Sequence, residues 1–283
     1  MKEGKENAEG ITEEILLKHE KLESSLKKKG RVLIAFSGGV DSTFLLNTAH
    51  DTLGNRVLAV IVNSEIFPEK EIKGALKFVE KKKIPYEIIQ LNIMKKSNFV
   101  KNTPRRCYLC KKEFFTLLRT IAAKVDIPFV LDGENFDDKF DLRPGIKAAE
   151  ELGIYSPLKE VKLRKNEIRK LSKKKGLFTW NKPSSSCLAT RIPYNMRIDR
   201  KILRQIEKAE EVLKASGFSQ IRVRHYGKTA RIEIEPDEFS EIIEKDVRSK
   251  VIKGLKKVGY TYITLDLAGF RSGSMNENLK DGK

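Results

Sequence analysis

The stretch from Val32 to Leu46 (Val-Leu-Ile-Ala-Phe-Ser-Gly-Gly-Val-Asp-Ser-Thr-Phe-Leu-Leu) constrains the fold more than any other part of this chain. The apolar run Val32 to Phe36 reads as a buried strand. Ser37-Gly38-Gly39 then makes a tight turn, and Asp41-Ser42 opens an apolar helix. A glycine turn between strand and helix aims backbone N–H groups and the helix dipole at one point, an arrangement suited to a phosphate. Two adjacent glycines let the backbone approach an anion with no Cβ in the way. Ser37 and Ser42 add hydroxyl donors. Asp41 beside a phosphate would repel it unless a cation intervenes, so Mg²⁺ on Asp41 is expected.

The loop lacks the Gly-Lys-Ser/Thr ending of the Walker motif and the three-glycine spacing of the dinucleotide fingerprint. It resembles the SGGxDS loop of the ATP pyrophosphatases, or PP-loop enzymes. That resemblance implies that Ser37, Gly38, Gly39, Asp41 and Ser42 hold the pyrophosphate of ATP while a substrate oxygen is adenylated.

Strand patterns follow at 31–36, 56–62, 84–91, 127–131 and 154–157, with helical ones at 12–28, 42–53, 69–82, 111–124 and 144–152. Alternation of this kind predicts an α/β fold with a doubly wound parallel sheet. Ligands on such sheets bind beyond the carboxyl ends of the strands. The Ser37 loop, Asn63-Ser64 and Asp132-Gly133 each follow a strand, so Ser64 and Gly133 are expected in the same ATP crevice. The stretch from Asn181 to Asn195 loses periodicity and reads as an interdomain loop. Beyond it come helix 199–216, strands 219–225 and 229–235 around a Gly227-Lys228 turn, helix 237–255 and strand 260–265. The expected organisation is a nucleotide domain over 12–180 and a second, smaller α/β domain over 181–275, with a polar tail from 273.

No apolar stretch reaches the ~18 residues that span a bilayer. The polar N-terminus has no signal-peptide core, so a cytoplasmic protein with no membrane partner is expected. The net charge of +18 would suit a polyanion such as tRNA or a heavily charged small substrate. Lysine runs at apparent helix ends account for much of it, and charge alone does not make this a nucleic-acid protein.

Three cysteines in 283 residues do not form a disulfide framework. Cys107 and Cys110 flank two residues at the start of a helix, where the helix terminus and neighbouring arginines favour thiolate. Cys187 lies in a polar loop. A structural zinc site wants four ligands. A 4Fe–4S cluster normally takes four thiolates, so three leave one iron open.

Four segments together resemble the LarE family of ATP-dependent sulfur transferases. They are Ser37–Ser42; Arg106-Cys107-Tyr108-Leu109-Cys110-Lys111; Asp132-Gly133-Glu134-Asn135 with Asp137-Asp138 and Arg143-Pro144-Gly145; and Ser186-Cys187-Leu188-Ala189-Thr190-Arg191-Ile192-Pro193-Tyr194. The likeness runs from about residue 12 to 272. It implies that a carboxylate of pyridinium-3,5-biscarboxylic acid mononucleotide is adenylated, then sulfurated to a thiocarboxylate, a precursor of the nickel-pincer nucleotide. In family members with one cysteine, the residue at the Cys187 position gives up its own sulfur. Those with three, here Cys107, Cys110 and Cys187, are expected to gather them around a 4Fe–4S cluster that carries sulfide from a sulfur donor. A doubly carboxylated, phosphorylated substrate needs cations, and Arg191, Arg222 and Arg224 are the expected set. Glu210 and Glu233 fall where the family places metal-binding acids. A homo-oligomer is also expected. The rival readings are a PP-loop tRNA thiolase with a 4Fe–4S cluster, an amidotransferase-like ligase that would not need Cys107 and Cys110, and a metal or cluster carrier with no ATP chemistry.

Overall fold

The computed structural model describes residues 10–140, 144–271 and 273–276. Arg143 of the third motif and the tail from 277 lie outside them. In chain order the first elements are α1 (Glu13–Lys29), β1 (Val32–Phe36), α2 (Val40–Leu53), β2 (Val57–Asn63), α3 (Glu69–Lys82), β3 (Tyr86–Gln90), α4 (Ser97–Val100), α5 (Arg106–Lys124) and β4 (Phe129–Leu131). Then follow α6 (Pro144–Glu151), α7 (Pro157–Glu160), α8 (Lys165–Lys174), α9 (Arg200–Lys214), β5 (Arg222–Tyr226), β6 (Thr229–Glu233), α10 (Phe239–Ile243), α11 (Lys245–Val258) and β7 (Tyr262–Leu265). The chain divides into two compact units. One is Met1–Ser64, Glu69–Ile93 and Arg105–Lys182; the other is Glu65–Pro68, Met94–Pro104 and Pro183–Lys283.

The first unit is built on a four-stranded sheet in the order β3-β2-β1-β4. All its pairings are parallel, with Val32 opposite both Val57 and Phe129. The central strand β1 is buried throughout, as a strand covered on both faces must be. Side chains alternate across it. Val32, Ile34 and Phe36 enter a core with Leu22, Phe44, Phe78 and Ile168. Leu33 and Ala35 enter a second core with Phe115, Leu118 and Ala148. The sheet is therefore doubly wound, with α1, α2, α3 and α8 on one face and α5 and α6 on the other. The fifth strand expected at 154–157 shrinks to a single parallel bridge between Leu131 and Tyr155. Pro157 has no N–H for a ladder and instead opens α7.

The second unit has a three-stranded sheet, β5-β6-β7. β5 and β6 are antiparallel around Gly227, whose φ of 63° the tight turn requires. β7 runs parallel to β6. Its core holds Leu213, Phe218, Val223, Ile232 and Leu255. Gly254 lets α11 lie against α9, since a Cβ there would come within 2.5 Å of Val212 Cγ1. The single helix expected at 237–255 is broken: Glu244 is extended (φ −52°, ψ 137°) between α10 and α11. Among the described residues, no helix is long and apolar enough to cross a membrane.

Candidate active site

In the first unit the Ser37–Ser42 loop joins the end of β1 to the start of α2. Gly38 has φ 68°, and a Cβ on it would lie 3.1 Å from Ala75 Cβ. Both facts favour glycine there. Gly39 is the N-cap of α2 and has no side chain to occupy the cap, which leaves the first-turn N–H groups open to an anion. Ser37 Oγ and Ser42 Oγ are 3.0 Å apart, and Ser42 Oγ also donates to Gly39 O at 3.3 Å. These bonds hold the two hydroxyls over one turn.

Gly133, just beyond β4, packs directly on this turn. A Cβ on it would lie 2.9 Å from Ser42 N. The Asp132 and Gly133 segment thus shares the crevice at the carboxyl ends of the strands. Ser64 follows β2 at the same edge, but its hydroxyl donates to Leu91 O at 2.9 Å. It ties β2 to the segment after β3.

Asp41 is largely buried. One of its oxygens, Oδ2, accepts from Lys165 Nζ; Oδ1 is buried and, among the described residues, makes no close hydrogen bond, with the Asn135 side chain the further donor toward this carboxylate. Burial pushes its carboxyl up. The Lys165 ammonium works against that rise, and the Asp138 charge adds to it. A buried carboxylate with one oxygen short of close hydrogen bonds fits a divalent cation, which supplies a further partner. Asp132 repeats the pattern at the end of β4. Its Oδ1 accepts from Glu134 N and Ser156 Oγ, and Oδ2 faces Lys111 Nζ at 3.9 Å.

Two lysines at this loop have no local sequence signal. Besides Lys165, Lys182 Nζ donates to Gly38 O at 2.8 Å and pairs with Glu71. Both lie far along the chain from the glycines.

Cys107 and Cys110 sit in the first turns of α5, three positions apart and so on one helical face. Both are half-buried. The helix begins at Arg106, earlier than the 111 read from periodicity, so the pair is part of the helix.

In the second unit Cys187 is half-buried and caps the short 3₁₀ turn Leu188–Arg191 inside the stretch read as loop. Arg191 builds this turn. It is 1 % exposed. Nε and Nη2 grip Glu210 Oε1 and Oε2 at 2.8 and 3.1 Å, and Nη1 donates to Ser186 O and Cys187 O at 2.8 and 3.1 Å. Arg224 makes the same fork with Glu233, at 2.9 and 2.7 Å, and donates to Thr190 O. Bidentate guanidinium–carboxylate pairs are among the strongest side-chain bonds.

Arg222 is different. Among the described residues it donates to the carbonyls of Ile221 and Ser184 alone, and it lies over the Phe270 ring. Three buried arginines therefore face two buried glutamates. Burial, with Arg191 close by, pulls Arg222 down to about 9. For Glu210, burial alone would raise the carboxyl, but Arg191, Arg222 and the Val223 N–H outweigh it and hold it below the usual range. Glu210 and Glu233 do not fit a resident metal. Both oxygens of each already accept from guanidinium groups, so they balance arginine charge.

A family model for NAD synthase matches residues 15–122, the part that carries the glycine loop and most of α5. The pyridinium-3,5-bisthiocarboxylic acid mononucleotide synthase of Lactiplantibacillus plantarum is 38 % identical over 259 residues, 91 % of this chain and 93 % of that protein. An uncharacterised protein of Synechocystis, slr1717, is 37 % identical over 262 residues, covering 93 % and 98 % of the two chains. One chain of the glutamine-hydrolysing GMP synthase of Thermoplasma acidophilum is 30 % identical over 216 residues, 69 % of each protein. The glycine loop ending in Asp41-Ser42, on a doubly wound sheet and in a chain matched nearly end to end by the bisthiocarboxylic acid synthase, places this protein in the LarE family of sulfur transferases, within the PP-loop superfamily.

Proposed function

We propose that this chain is an ATP-dependent sulfur transferase acting on pyridinium-3,5-biscarboxylic acid mononucleotide. A carboxylate oxygen of the substrate attacks the α-phosphorus of ATP, the α–β bridge breaks, and pyrophosphate leaves. A sulfur nucleophile then attacks the carboxyl carbon and AMP departs, leaving a thiocarboxylate on the route to the nickel-pincer nucleotide. The near full-length likeness to the bisthiocarboxylic acid synthase carries this reading.

The roles of the residues follow from their chemistry. A carboxylate is a poor electrophile, and adenylation gives it a good leaving group. The open amides of the Gly39 cap, with Ser37, Gly38 and Ser42, receive the pyrophosphate as its charge develops. Gly133 and Ser64 complete the crevice edge. Asp41 holds Mg²⁺, which when bound neutralises phosphate charge. Arg191, Arg222 and Arg224 receive the anionic substrate, and the guanidinium left over after Glu210 and Glu233 are paired gives that set its net positive charge. For the cluster the donor chemistry fits: three thiols, none in a disulfide. Cys107, Cys110 and Cys187 are assigned to a 4Fe–4S cluster, which when bound supplies an open iron for sulfide. The sulfide comes from a donor in a cytoplasmic setting, and the enzyme works as a homo-oligomer.

The test is anaerobic reconstitution with iron and sulfide, followed by ATP, Mg²⁺ and the pyridinium dicarboxylate mononucleotide. More than one thiocarboxylate per polypeptide is expected. One product per polypeptide, with loss of H₂S mass from Cys187, would overturn the cluster. Full ATP-dependent activity in the Cys107→Ser, Cys110→Ser double variant would point to an amidotransferase-like ligase instead.

A further inference from the structure

Lys165 is the first residue of α8 and is held at both ends by acids of the nucleotide crevice. Its backbone N–H donates to Asp137 Oδ2 at 2.8 Å. Its Nζ donates to Asp41 Oδ2 at 2.5 Å. The crevice around it is built from short turns: Asn135 N donates to Asp138 Oδ2, and Asp137 N to Asn135 Oδ1. Asp41 itself keeps Oδ1 buried and, among the described residues, short of close hydrogen bonds, with the Asn135 side chain the one further donor toward the carboxylate.

An ammonium on Asp41 cancels its charge in the nucleotide-free protein and stands where it would repel an arriving divalent cation. A triphosphate changes the balance, because it offers the ammonium new anionic partners and brings enough negative charge for both cations. Lysine suits such a move, being a compact charge on a flexible stem. We propose that Lys165 is a positioning residue: it occupies Asp41 in the nucleotide-free protein and leaves it for the phosphates when nucleotide binds, so that the divalent cation is admitted only together with the triphosphate. The proposal rests on the reading of Asp41 as the cation ligand. Its consequence is a coupling between cation and nucleotide that is reciprocal by thermodynamic necessity.

Binding of Mn²⁺, followed by electron paramagnetic resonance on nucleotide-free protein, tests this without any turnover. Lys165→Met is expected to bind Mn²⁺ about 5- to 150-fold more tightly than the unaltered protein, the usual range of coupling between two sites. Lys165→Arg is expected to resemble the unaltered protein, and Asp41→Asn to remove the site in both backgrounds. α,β-Methylene-ATP, whose bridge resists cleavage, should tighten Mn²⁺ binding strongly in the unaltered protein and much less in Lys165→Met. Equal Mn²⁺ affinity in Lys165→Met and the unaltered protein would overturn the proposal. So would a crystal structure of the unaltered protein with Mn²⁺ and α,β-methylene-ATP in which Nζ still bonds Asp41, a result that needs no variant to fold. Because the pyridinium substrate is absent throughout, a failure of sulfur transfer leaves this result unaffected.

Discussion

Gly133 sits against the backbone of Ser42, so close that a Cβ on it would be 2.9 Å from Ser42 N and 3.1 Å from its Cα. The segment just after β4 thus lies close against the backbone of the first turn of α2. A side chain on Gly133 has no flexible neighbour to push aside, so the glycine loop must shift. Gly133→Ala is expected to fold and to lower pyrophosphate release on the order of 100-fold, the scale of a misplacement of about 1 Å. Unchanged release in a steady-state assay would show that the contact does not set the loop.

Asp41 needs its charge to hold a cation, and burial raises its pKa above the ordinary value. In the nucleotide-free protein it therefore protonates at higher pH than an ordinary aspartate, whose pKa is about 3.9. Cation affinity is expected to fall as pH falls, with a midpoint above that range. The same raised pKa makes ionised Asp41 a cost to folding, incurred as pH climbs through the shifted value. Mn²⁺ titrations across acidic pH check the direction; a midpoint at or below the ordinary aspartate value would contradict it. Asp41→Asn should abolish ATP-dependent pyrophosphate release.

Glu210 is the anchor of Arg191, and Arg191 shapes the turn at Cys187. Glu210→Gln removes the charge while keeping the shape, leaving a buried guanidinium uncompensated. The expected loss is about 3–5 kcal/mol, typical of breaking a buried pair from one side. Chemical denaturation measures it. Because the folded pKa of Glu210 is lowered, its stabilisation is present above the unfolded value of about 4.3 and is lost as pH falls through the lower folded one.

Among the described residues Arg222 has no carboxylate in an ion pair with it. Arg222→Met removes a buried cation that burial and Arg191 both disfavour. The ligand-free protein is expected to melt about 2–4 °C higher for each kcal/mol relieved, while affinity for the anionic mononucleotide falls. Calorimetry with and without the mononucleotide separates the two effects. A lower Tm without ligand would mean that the bonds from Arg222 to Ile221 O and Ser184 O outweigh the charge.

Elements held by local chemistry were legible in the chain itself. The SGGxDS turn, the alternation of strands with helices, the doubly wound sheet and the Gly227 hairpin all rest on periodicity or on glycine backbone freedom, which neighbouring residues encode. Segments whose state depends on distant partners were less legible. Residues 154–157 carry a strand pattern, yet Pro157 and the lack of a further strand reduce it to one bridge. Arg222 and Arg224 stand two apart on β5 and so share one face, where charge alone would place water, yet both are buried.

By itself, then, the sequence determined the glycine loop, the sheet that presents it and the three thiols, because these follow from residue type and spacing. Tertiary structure alone decided which charges meet. Lys165 reaches Asp41 across 124 positions and Lys182 reaches Gly38 across 144. Arg191 and Arg224 choose Glu210 and Glu233 from among many acids. Ion pairing depends on which side chains are desolvated together, and that is settled only when the helices and strands carrying them have packed.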